Sequence, residues 1–178
     1  MNILLGVSGS IAAYKACDLI TELREKGHSV QVVMTKDAHH FVTPLALQSF
    51  SGTEVVQDFF SLEGRVKPVH IELAKKADLI LVAPASADSI AKLAHGLADD
   101  VLSCTALAST APLVIAPAMN EKMWFHAATQ ANIETLKKRG AVIVAPVEGH
   151  LVCMDKGMGH LAGDEAIVKA VETAPRKK

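Results

Sequence analysis

Five short apolar runs, separated by amphipathic segments, constrain most strongly how this chain can fold. Each run is about five residues of mainly Val, Ile and Leu, without the polar alternation of a half-exposed strand. The runs therefore predict central parallel strands that are covered on both faces. They are Ile3–Val7, Val30–Met34, Leu79–Pro84, Leu113–Pro117 and Val142–Pro146.

The segments between the runs have helical periodicity. Three of them are each followed by a glycine, at the position where a left-handed C-cap is favoured: Ile11–Lys26, Ser86–His95 and Ala127–Arg139. This alternation of strands and helices predicts an α/β fold. We expect one doubly wound parallel sheet, Rossmann-like or flavodoxin-like, with helices on both faces.

Length and composition indicate one globular domain. At roughly 150 residues per domain, 178 residues leave no room for a second domain, and a hydrophobic content of 50% excludes intrinsic disorder. We expect the domain to span residues 1–174 and the basic tail, residues 175–178, to be frayed. A net charge of −1 and an aromatic content of 4% argue against nucleic acid as a partner.

Cysteine content and hydropathy indicate the compartment. Three cysteines without a CxxC pair form no disulfide framework, which is typical of the reducing cytoplasm. No apolar run approaches the ~20 residues of a membrane helix, and the N-terminus reads as a first strand rather than a signal peptide. We therefore expect a cytoplasmic protein with no membrane contact. Cys17 and Cys104 fall on predicted helices, where we expect both to be buried as small hydrophobic residues.

Two stretches interrupt the regular alternation. Phe50–Val69 has weak periodicity, and Gly149–Gly163 contains four glycines before a last helix that begins at Asp164. Long irregular loops in a compact α/β domain often carry function. We therefore expect functional residues in or beside both stretches.

The turn after the first strand has the composition of a phosphate-binding turn. Small residues in Gly6–Ala12 expose backbone N–H groups at the start of a helix, where a phosphate binds favourably. Ile11 and Ala12, however, stand where the dinucleotide fingerprint needs glycine. The second strand ends in Thr35 and Lys36 instead of the acidic residue that holds a ribose. The turn favours a mononucleotide over NAD, and an ordinary strand–helix turn is the alternative.

Further candidate residues follow the third and fourth predicted strands, whose carboxyl ends form the ligand-binding edge of such a sheet. Pro84–Asp88 contains small polar residues, although Ser86 could simply cap the next helix. Pro117–Trp124 contains the only tryptophan, two methionines and Asn120. Methionine and tryptophan at such spacing are usually core residues, but their place at this edge favours a binding role.

Two other residues carry reactive groups. His70 is equally compatible with a catalytic role and with helix capping or packing. Cys153 lies in the glycine-rich stretch, where its thiol could act on a substrate as an acid or a nucleophile. Its neighbours His150, Asp155 and His160 could instead suggest zinc. Their spacing matches no standard zinc site, so we expect no metal.

Taken together, these motifs resemble those of the homo-oligomeric flavin-containing cysteine decarboxylases. The resemblance covers nearly the whole chain, and the motifs occur in the order that the family has. Each motif alone is weak, but the combination is highly specific. The motifs are Gly9–Ala12, His70, Pro84–Asp88, Pro117–Trp124 and Cys153.

The resemblance implies roles for individual residues. His70 would be the active-site histidine beside the flavin, and Cys153 would be the acid of the last step. Asn120, between Met119 and Met123, would bind the carboxylate of a cysteine moiety. The FMN cofactor would be held by Gly9, Ser10, Ile11, Thr35, Lys36, Ser86, Ala87, Asp88, Ser89 and Ala118.

The resemblance also implies a reaction and an assembly. The best-matching members decarboxylate 4′-phosphopantothenoyl-L-cysteine to 4′-phosphopantetheine in coenzyme A biosynthesis. In that chemistry a flavin oxidises the thiol to a thioaldehyde, the C=S group accepts electrons as CO2 leaves, and the enethiolate is reduced again. We expect a homotrimer or a dodecamer of trimers, with a separate phosphopantothenoylcysteine synthetase as a further candidate partner.

Related functions are less compatible with these motifs. Peptidyl-cysteine decarboxylases of lantibiotic maturation lack the reducing step and its cysteine, whereas this chain has Cys153. The Asn120 motif does not belong to flavin prenyltransferases. Flavin-binding subunits that inhibit a protein phosphatase carry long acidic extensions, and this sequence contains no such acidic stretch. The first turn disfavours an NAD-dependent reductase.

Two residues depart from the family pattern. Met154 follows Cys153 and His160 follows Gly159, where the family has glycine and arginine. We therefore expect different substrate contacts in this loop. The same domain is followed by a synthetase domain in many bacteria, so we expect either a stand-alone decarboxylase or a trimmed part of a longer protein.

Overall fold

Five parallel strands form the central sheet of the computed structural model, which describes residues 1–59, 68–150 and 156–175. They are β1 (Asn2–Val7), β2 (Ser29–Met34), β3 (Leu79–Ala85), β4 (Leu113–Pro117) and β5 (Val142–Ile143). Their order across the sheet is β2-β1-β3-β4-β5, and all neighbours are parallel. The doubly wound α/β fold is confirmed, with the flavodoxin-like strand order.

The apolar runs form strands because both faces of the sheet are covered. All seven residues of β3 are buried, as are the last five of β1. The prediction of a strand as far as Pro146 is wrong, because only Val142 and Ile143 pair with β4. This strand is half-buried at the edge of the sheet, and the chain leaves the sheet after it.

Helices cover the sheet on both sides. The segment after β1 begins as a 3-10 helix, Ile11–Lys15, and continues as α1 (Ala16–Glu25). A second 3-10 helix, Lys36–His40, follows β2. The other helices are α2 (Pro44–Ser51), α3 (Val69–Lys76), α4 (Ala87–His95), α5 (Val101–Leu107), α6 (Glu121–Trp124), α7 (Ala127–Lys138) and α8 (Asp164–Thr173).

Two apolar layers hold these helices on the sheet. Side chains of α1, α2 and α8 form one layer with Ile3 and Leu5 of β1. Side chains of α3, α4, α5 and α7 form the other with Leu4 of the same strand. Because successive residues of a strand point to opposite faces, one continuous apolar run serves both layers.

The predicted helix ends are confirmed. Gly27, Gly96 and Gly140 have φ angles of 78°, 69° and 92°, in the left-handed region that glycine adopts without steric cost. The last helix begins at Asp164, as expected. Cys104 lies on the short α5, so the prediction of a helix there is confirmed, whereas α2 and the short α6 are additions that the strand–helix alternation did not predict.

The glycine-rich stretch is not irregular over residues 149–150 and 156–160, so that prediction is wrong there, whereas residues 161–163 form neither helix nor strand. β6 (Val147–His150) and β7 (Lys156–His160) form an antiparallel two-stranded hairpin that is separate from the main sheet. In the earlier stretch, Val56 forms a parallel bridge with Val33. Residues 60–67 and 151–155 lie outside the described part of the chain.

Smaller expectations have mixed outcomes. Cys17 on α1 and Cys104 on α5 are only half-buried, so the prediction that both are buried is wrong. Burial is the larger cause that raises the pKa of both thiols. The charge of Asp18 raises the pKa of Cys17 further, and the charge of Asp100 raises that of Cys104.

Of the expected tail only Pro175 is described, and it is exposed. Within the described ranges, no helix has the length and apolar character needed to cross a bilayer.

Candidate functional site

A cavity of about 700 Å³ opens at the carboxyl edge of the sheet, at the switch point between β1 and β3. Open α/β sheets bind ligands at such a point, because the connections on either side run to opposite faces. Four segments line this cavity: the turn after β1, the start of α4, the segment after β4 and the end of β7. The lining residues are Gly9, Ser10, Ile11, Ala12, Tyr14, Lys15, Ser86, Ala87, Ala118, Met119, Asn120, Met123, Gly159, His160 and Leu161.

Ser8 joins the ends of β1 and β3 at the switch point. Its buried hydroxyl donates to the carbonyl oxygen of Pro84 at 2.7 Å and accepts from the backbone N–H of Ser86 at 2.8 Å. The Ser86 side chain in turn accepts from the backbone N–H of Ser89 at 3.2 Å and caps α4. Ser86 is therefore a helix cap and a cavity residue at once.

Ser10 connects the turn after β1 to the segment after β4. Its hydroxyl accepts from the backbone N–H of Ala12 and donates to the carbonyl oxygen of Ala118, both at 3.3 Å. The helical segment Ile11–Glu25 therefore begins in the cavity wall. Its first N–H groups and its dipole favour an anion there.

Thr35 and Lys36 do not line the cavity but lie behind the turn that does. The backbone N–H of Thr35 donates to the carbonyl oxygen of Val7 at 3.0 Å and extends the pairing of β1 with β2. A Cβ atom at Gly9 would stand 2.6 Å from Cβ of Asp37, so the two segments pack directly on each other. Glycine at position 9 makes this close approach possible.

Asp88 and Ser89 also lie outside the cavity wall. The exposed carboxylate of Asp88 pairs with Lys92 at 3.4 Å. Ser89 is buried, and its hydroxyl lies 3.2 Å from that of Ser86. Ser89 therefore helps to orient Ser86, whereas the structure gives Asp88 a contact along its own helix.

Asn120 lines the cavity at the exposed start of α6, together with Met119 and Met123. Its Oδ1 accepts from the backbone N–H of Lys122 at 2.9 Å and caps the helix. The amide nitrogen of Asn120 then carries the donors that can face a ligand. Met123 is 48% exposed, so it is not a core residue, in contrast to the usual place of methionine at such spacing.

The end of β7 supplies a further wall. The backbone N–H of Met119 donates to the carbonyl oxygen of Gly159 at 3.0 Å. Lys15 Nζ lies 2.8 Å from His160 Nε2, and because the ammonium has only donors, the neutral imidazole accepts there. Burial first, and then the charge of Lys15, lower the pKa of His160.

Of the two expected catalytic residues only His70 lies in the described part of the chain, and it does not line this cavity. His70 is the second residue of α3, and its ring contacts the Phe59 ring edge-on, with centroids 5.6 Å apart. Its buried Nδ1 has no hydrogen-bond partner among the residues that the structure describes. Cys153 lies outside those residues, and of the four candidate zinc ligands only His160 has a described side chain.

Tyr14 and Lys15 are cavity residues that the sequence reasoning missed. They follow Ile11 by three and four positions, and this spacing places all three on one face of a helical segment. Ile11 and Tyr14 are 56% and 55% exposed. The spacing of two large residues, Ile11 and Tyr14, by three positions directly after the phosphate-type turn was the sequence signal that could have identified this face.

Known proteins resemble this chain over nearly its whole length. The family model described as Flavoprotein matches residues 1–174. The chain is 48% identical over 171 residues to the coenzyme A biosynthesis bifunctional protein CoaBC of Vibrio vulnificus (strain YJ016), covering 96% of this chain and 43% of that protein. The chain thus spans less than half the length of the curated relatives it matches.

Solved structures show the same fold over most of the chain. A PPC decarboxylase mutant complexed with pantothenoylaminoethenethiol has a TM-score of 0.85 and 34% identity, covering 96% of both chains. The FMN-dependent cysteine decarboxylase SpaF has a TM-score of 0.83 and 34% identity, covering 96% of this chain and 97% of that one.

Proposed function

The chain belongs to the Flavoprotein family, and from this membership we propose that it is an FMN-dependent decarboxylase of 4′-phosphopantothenoyl-L-cysteine in coenzyme A biosynthesis. The observation that carries the proposal is the similarity to PPC decarboxylase, which extends over nearly all of both chains. The relatives named for coenzyme A biosynthesis support the same assignment.

The cavity suits FMN in size and in the chemistry of its walls. Its volume of about 700 Å³ lies within the roughly 300–1,000 Å³ that is typical of small-molecule sites. The exposed side chains of Ile11, Tyr14 and Met123 offer apolar surface to a ring system. The start of the helical segment after Ser10 offers N–H groups to a phosphate. When bound, FMN supplies a group that accepts and returns two electrons.

The expected cofactor residues fall into two groups. Those in the cavity wall hold the cofactor directly, and those behind it hold the wall in place. The first group is Gly9, Ser10, Ile11, Ser86, Ala87 and Ala118, and the second is Thr35, Lys36 and Ser89; Asp88, which pairs with Lys92 on its own helix, belongs to neither.

Asn120 binds the substrate in this proposal. Because its Oδ1 already accepts from the backbone N–H of Lys122, its Nδ2–H groups donate to the carboxylate of the cysteine moiety. Met119 and Met123 form the apolar surroundings of that carboxylate. Such surroundings favour the departure of neutral CO2, since a carboxylate is poorly solvated there, and the electron pair of the broken C–C bond passes to the C=S group of the oxidised substrate. Cys153 then donates the proton that completes the product.

His70 needs a second copy of the chain in this proposal. It does not line the cavity of its own chain, and its Nδ1 has no hydrogen-bond partner in the described residues. A homotrimer, alone or as the unit of a dodecamer, would bring His70 of one copy to the cavity of the next. It would also cover the exposed Ile11 and Tyr14. Light scattering of the FMN-loaded protein tests this assembly, and a monomer at active concentrations would contradict it.

We place the protein in the cytoplasm, where a reduced Cys153 is maintained. Its substrate is the product of a phosphopantothenoylcysteine synthetase, so a synthetase acting beside it is the proposed partner. Neither nucleic acid nor a membrane takes part in the reaction.

The decisive experiment is mass spectrometry of 4′-phosphopantothenoyl-L-cysteine after incubation with the purified, FMN-loaded protein. We expect a product that has lost CO2 and nothing else. A product lighter by two further hydrogens would mean that the reaction stops at the enethiol, as in the peptidyl-cysteine decarboxylases. Unchanged substrate with flavin bound would contradict the enzyme and favour a flavin-binding regulatory subunit.

Variants then assign the two catalytic residues. Cys153→Ser should still release CO2 but accumulate the enethiol, because a hydroxyl is a much weaker acid than a thiol. His70→Asn should keep FMN and lose turnover. Normal product from the first variant, or undiminished activity of the second, would remove that residue from the mechanism.

A further inference from the structure

β7 is attached to the segment after β4 by two hydrogen bonds at successive positions. Glu121 Oε1 accepts from the backbone N–H of Met158 at 3.0 Å, and the carbonyl oxygen of Gly159 accepts from the backbone N–H of Met119 at 3.0 Å. Only the second bond is between backbone groups. The first depends on the side chain of Glu121, the first residue of α6.

Two glycines of β7 make this attachment close. A Cβ atom at Gly157 would stand 2.9–3.1 Å from the carboxylate atoms of Glu121, and one at Gly159 would stand 2.1 Å from the carbonyl oxygen of Met119. The carboxylate of Glu121 therefore occupies the space that a side chain at position 157 would need. Glycine at position 157 and glutamate at position 121 therefore fit each other sterically.

This attachment decides where one wall of the cavity lies. Gly159 and His160 line the cavity, yet the hairpin that carries them is not part of the main sheet. The hydrogen bonds between strands of the main sheet therefore do not position Gly159 and His160. At its end β7 also reaches Lys15 through His160.

We propose that Glu121 is a positioning residue, whose carboxylate holds β7 so that Gly159 and His160 form the wall of the substrate cavity. The assignment of this cavity to substrate rests on the proposed function. The contact itself does not, because it is a bond between a carboxylate and a backbone N–H. Such charge-assisted bonds are stronger than neutral ones.

The first test measures the contact without any reaction. Amide hydrogen exchange of Met158 in the FMN-loaded protein should become about tenfold faster in Glu121→Ala, which corresponds to about 1.4 kcal/mol. Glu121→Gln keeps an oxygen acceptor and should stay within about threefold of the wild type. Glu172→Ala, which removes an exposed carboxylate from α8, is the control. Unchanged exchange at Met158 in Glu121→Ala would overturn the proposal.

A double-mutant cycle tests the specific fit. Gly157→Ala should disturb β7 in the wild type, because the new methyl group meets the Glu121 carboxylate. In the Glu121→Ala background the same change should be tolerated, since the three atoms nearest to that position in the described part of the chain all belong to the Glu121 carboxylate. Equal effects of Gly157→Ala in both backgrounds would show that the two residues are not coupled.

Kinetics then separate positioning from general stability. With 4′-phosphopantothenoyl-L-cysteine, Glu121→Ala should raise KM about tenfold, in proportion to the lost contact, and leave kcat and the Tm nearly unchanged. Glu121→Gln should restore KM. A loss of activity that parallels a loss in Tm, and that Glu121→Gln does not restore, would show that Glu121 has only a structural role. If the wild type does not turn over but Met158 exchange responds as expected, the proposed function fails and the positioning stands.

Discussion

Two walls of the same cavity are built in different ways. The wall formed by the turn after β1 and the start of α4 belongs to the sheet and is joined through the buried Ser8. The wall formed by the end of β7 belongs to a separate hairpin and is attached through Met119, Glu121 and Lys15. Changes in the first wall should therefore affect the stability of the whole protein. Changes in the second should mainly affect local structure and substrate binding.

The largest effect should come from Ser8→Ala. This change removes one hydrogen bond to Pro84 and leaves the backbone N–H of Ser86 without its acceptor, so we expect a loss of about 2–3 kcal/mol in the free energy of unfolding. Urea denaturation measures it. Ser49→Ala on the exposed side of α2 is the control and should stay within about 0.5 kcal/mol. Equal stabilities for the two variants would show that Ser8 does not stabilise the wall formed by the turn after β1 and the start of α4.

A smaller loss should follow from Lys92→Met, next to the same wall. The half-buried ammonium lies 3.4, 3.1 and 3.2 Å from carboxylates of Asp88, Asp99 and Asp100. Because two of the carboxylates are well exposed, we expect a loss of about 1–2 kcal/mol. Lys137→Met is the control, since it breaks only an exposed pair and should cost less than about 0.5 kcal/mol.

The pH dependence of the Lys92 effect can be stated with its sign. Burial lowers the pKa of Lys92, but hydrogen bonds to Asp99 and Asp100, and then the charges of Asp100 and Asp88, outweigh it and raise the pKa above its ordinary 10.5. The stabilisation is therefore fully present below pH 10.5 and is lost only as the pH rises through the folded-state value. The wild type and Lys92→Met should differ by the same amount at pH 7 and pH 9. A difference that disappears by pH 9 would be inconsistent with this assignment.

The wall formed by the end of β7 should respond to Gly159→Ala with a local change rather than a large loss of overall stability. The added methyl group overlaps the carbonyl oxygen of Met119, and the φ of 139° is unfavourable for alanine. We expect faster amide exchange at Met119, whose N–H donates to Gly159, with a smaller stability loss than that of Ser8→Ala. Exchange and denaturation on the same sample measure both. A stability loss as large as that of Ser8→Ala would show that the two walls unfold together.

The smallest effect should be the pH dependence carried by His160. Its pKa is lowered from 6.5 in the folded protein, so the unfolded chain binds more protons below that pH. Stability should therefore fall as the pH decreases from 6.5 through the folded-state value. His160→Gln should reduce this slope, and the Tm of both proteins between pH 5 and 8 measures it. An unchanged slope would mean that other groups cause the acid sensitivity.

Local patterns predicted much of the fold and part of the site. The strands, the three glycine helix ends and the turn at Ser10 follow from periodicity and from the preferences of single residues. The hairpin escaped prediction because its glycines suggested an irregular loop. In the structure, Gly157 and Gly159 serve a close approach to Glu121 and Met119 instead. A glycine in the sequence can indicate that space is limited at its position, but it does not identify the atoms that occupy that space.

The cavity itself depends on pairs that are far apart in the chain. Ser8 and Pro84 are separated by 76 positions, and Lys15 and His160 by 145. No local pattern encodes such a pair. The sequence alone determined which segments are strands, where helices end and which residues sit at strand ends, because short-range sterics and periodic burial decide these features. Only tertiary structure decided the strand order, the hairpin's attachment and the residues facing the cavity, because packing selects among distant partners.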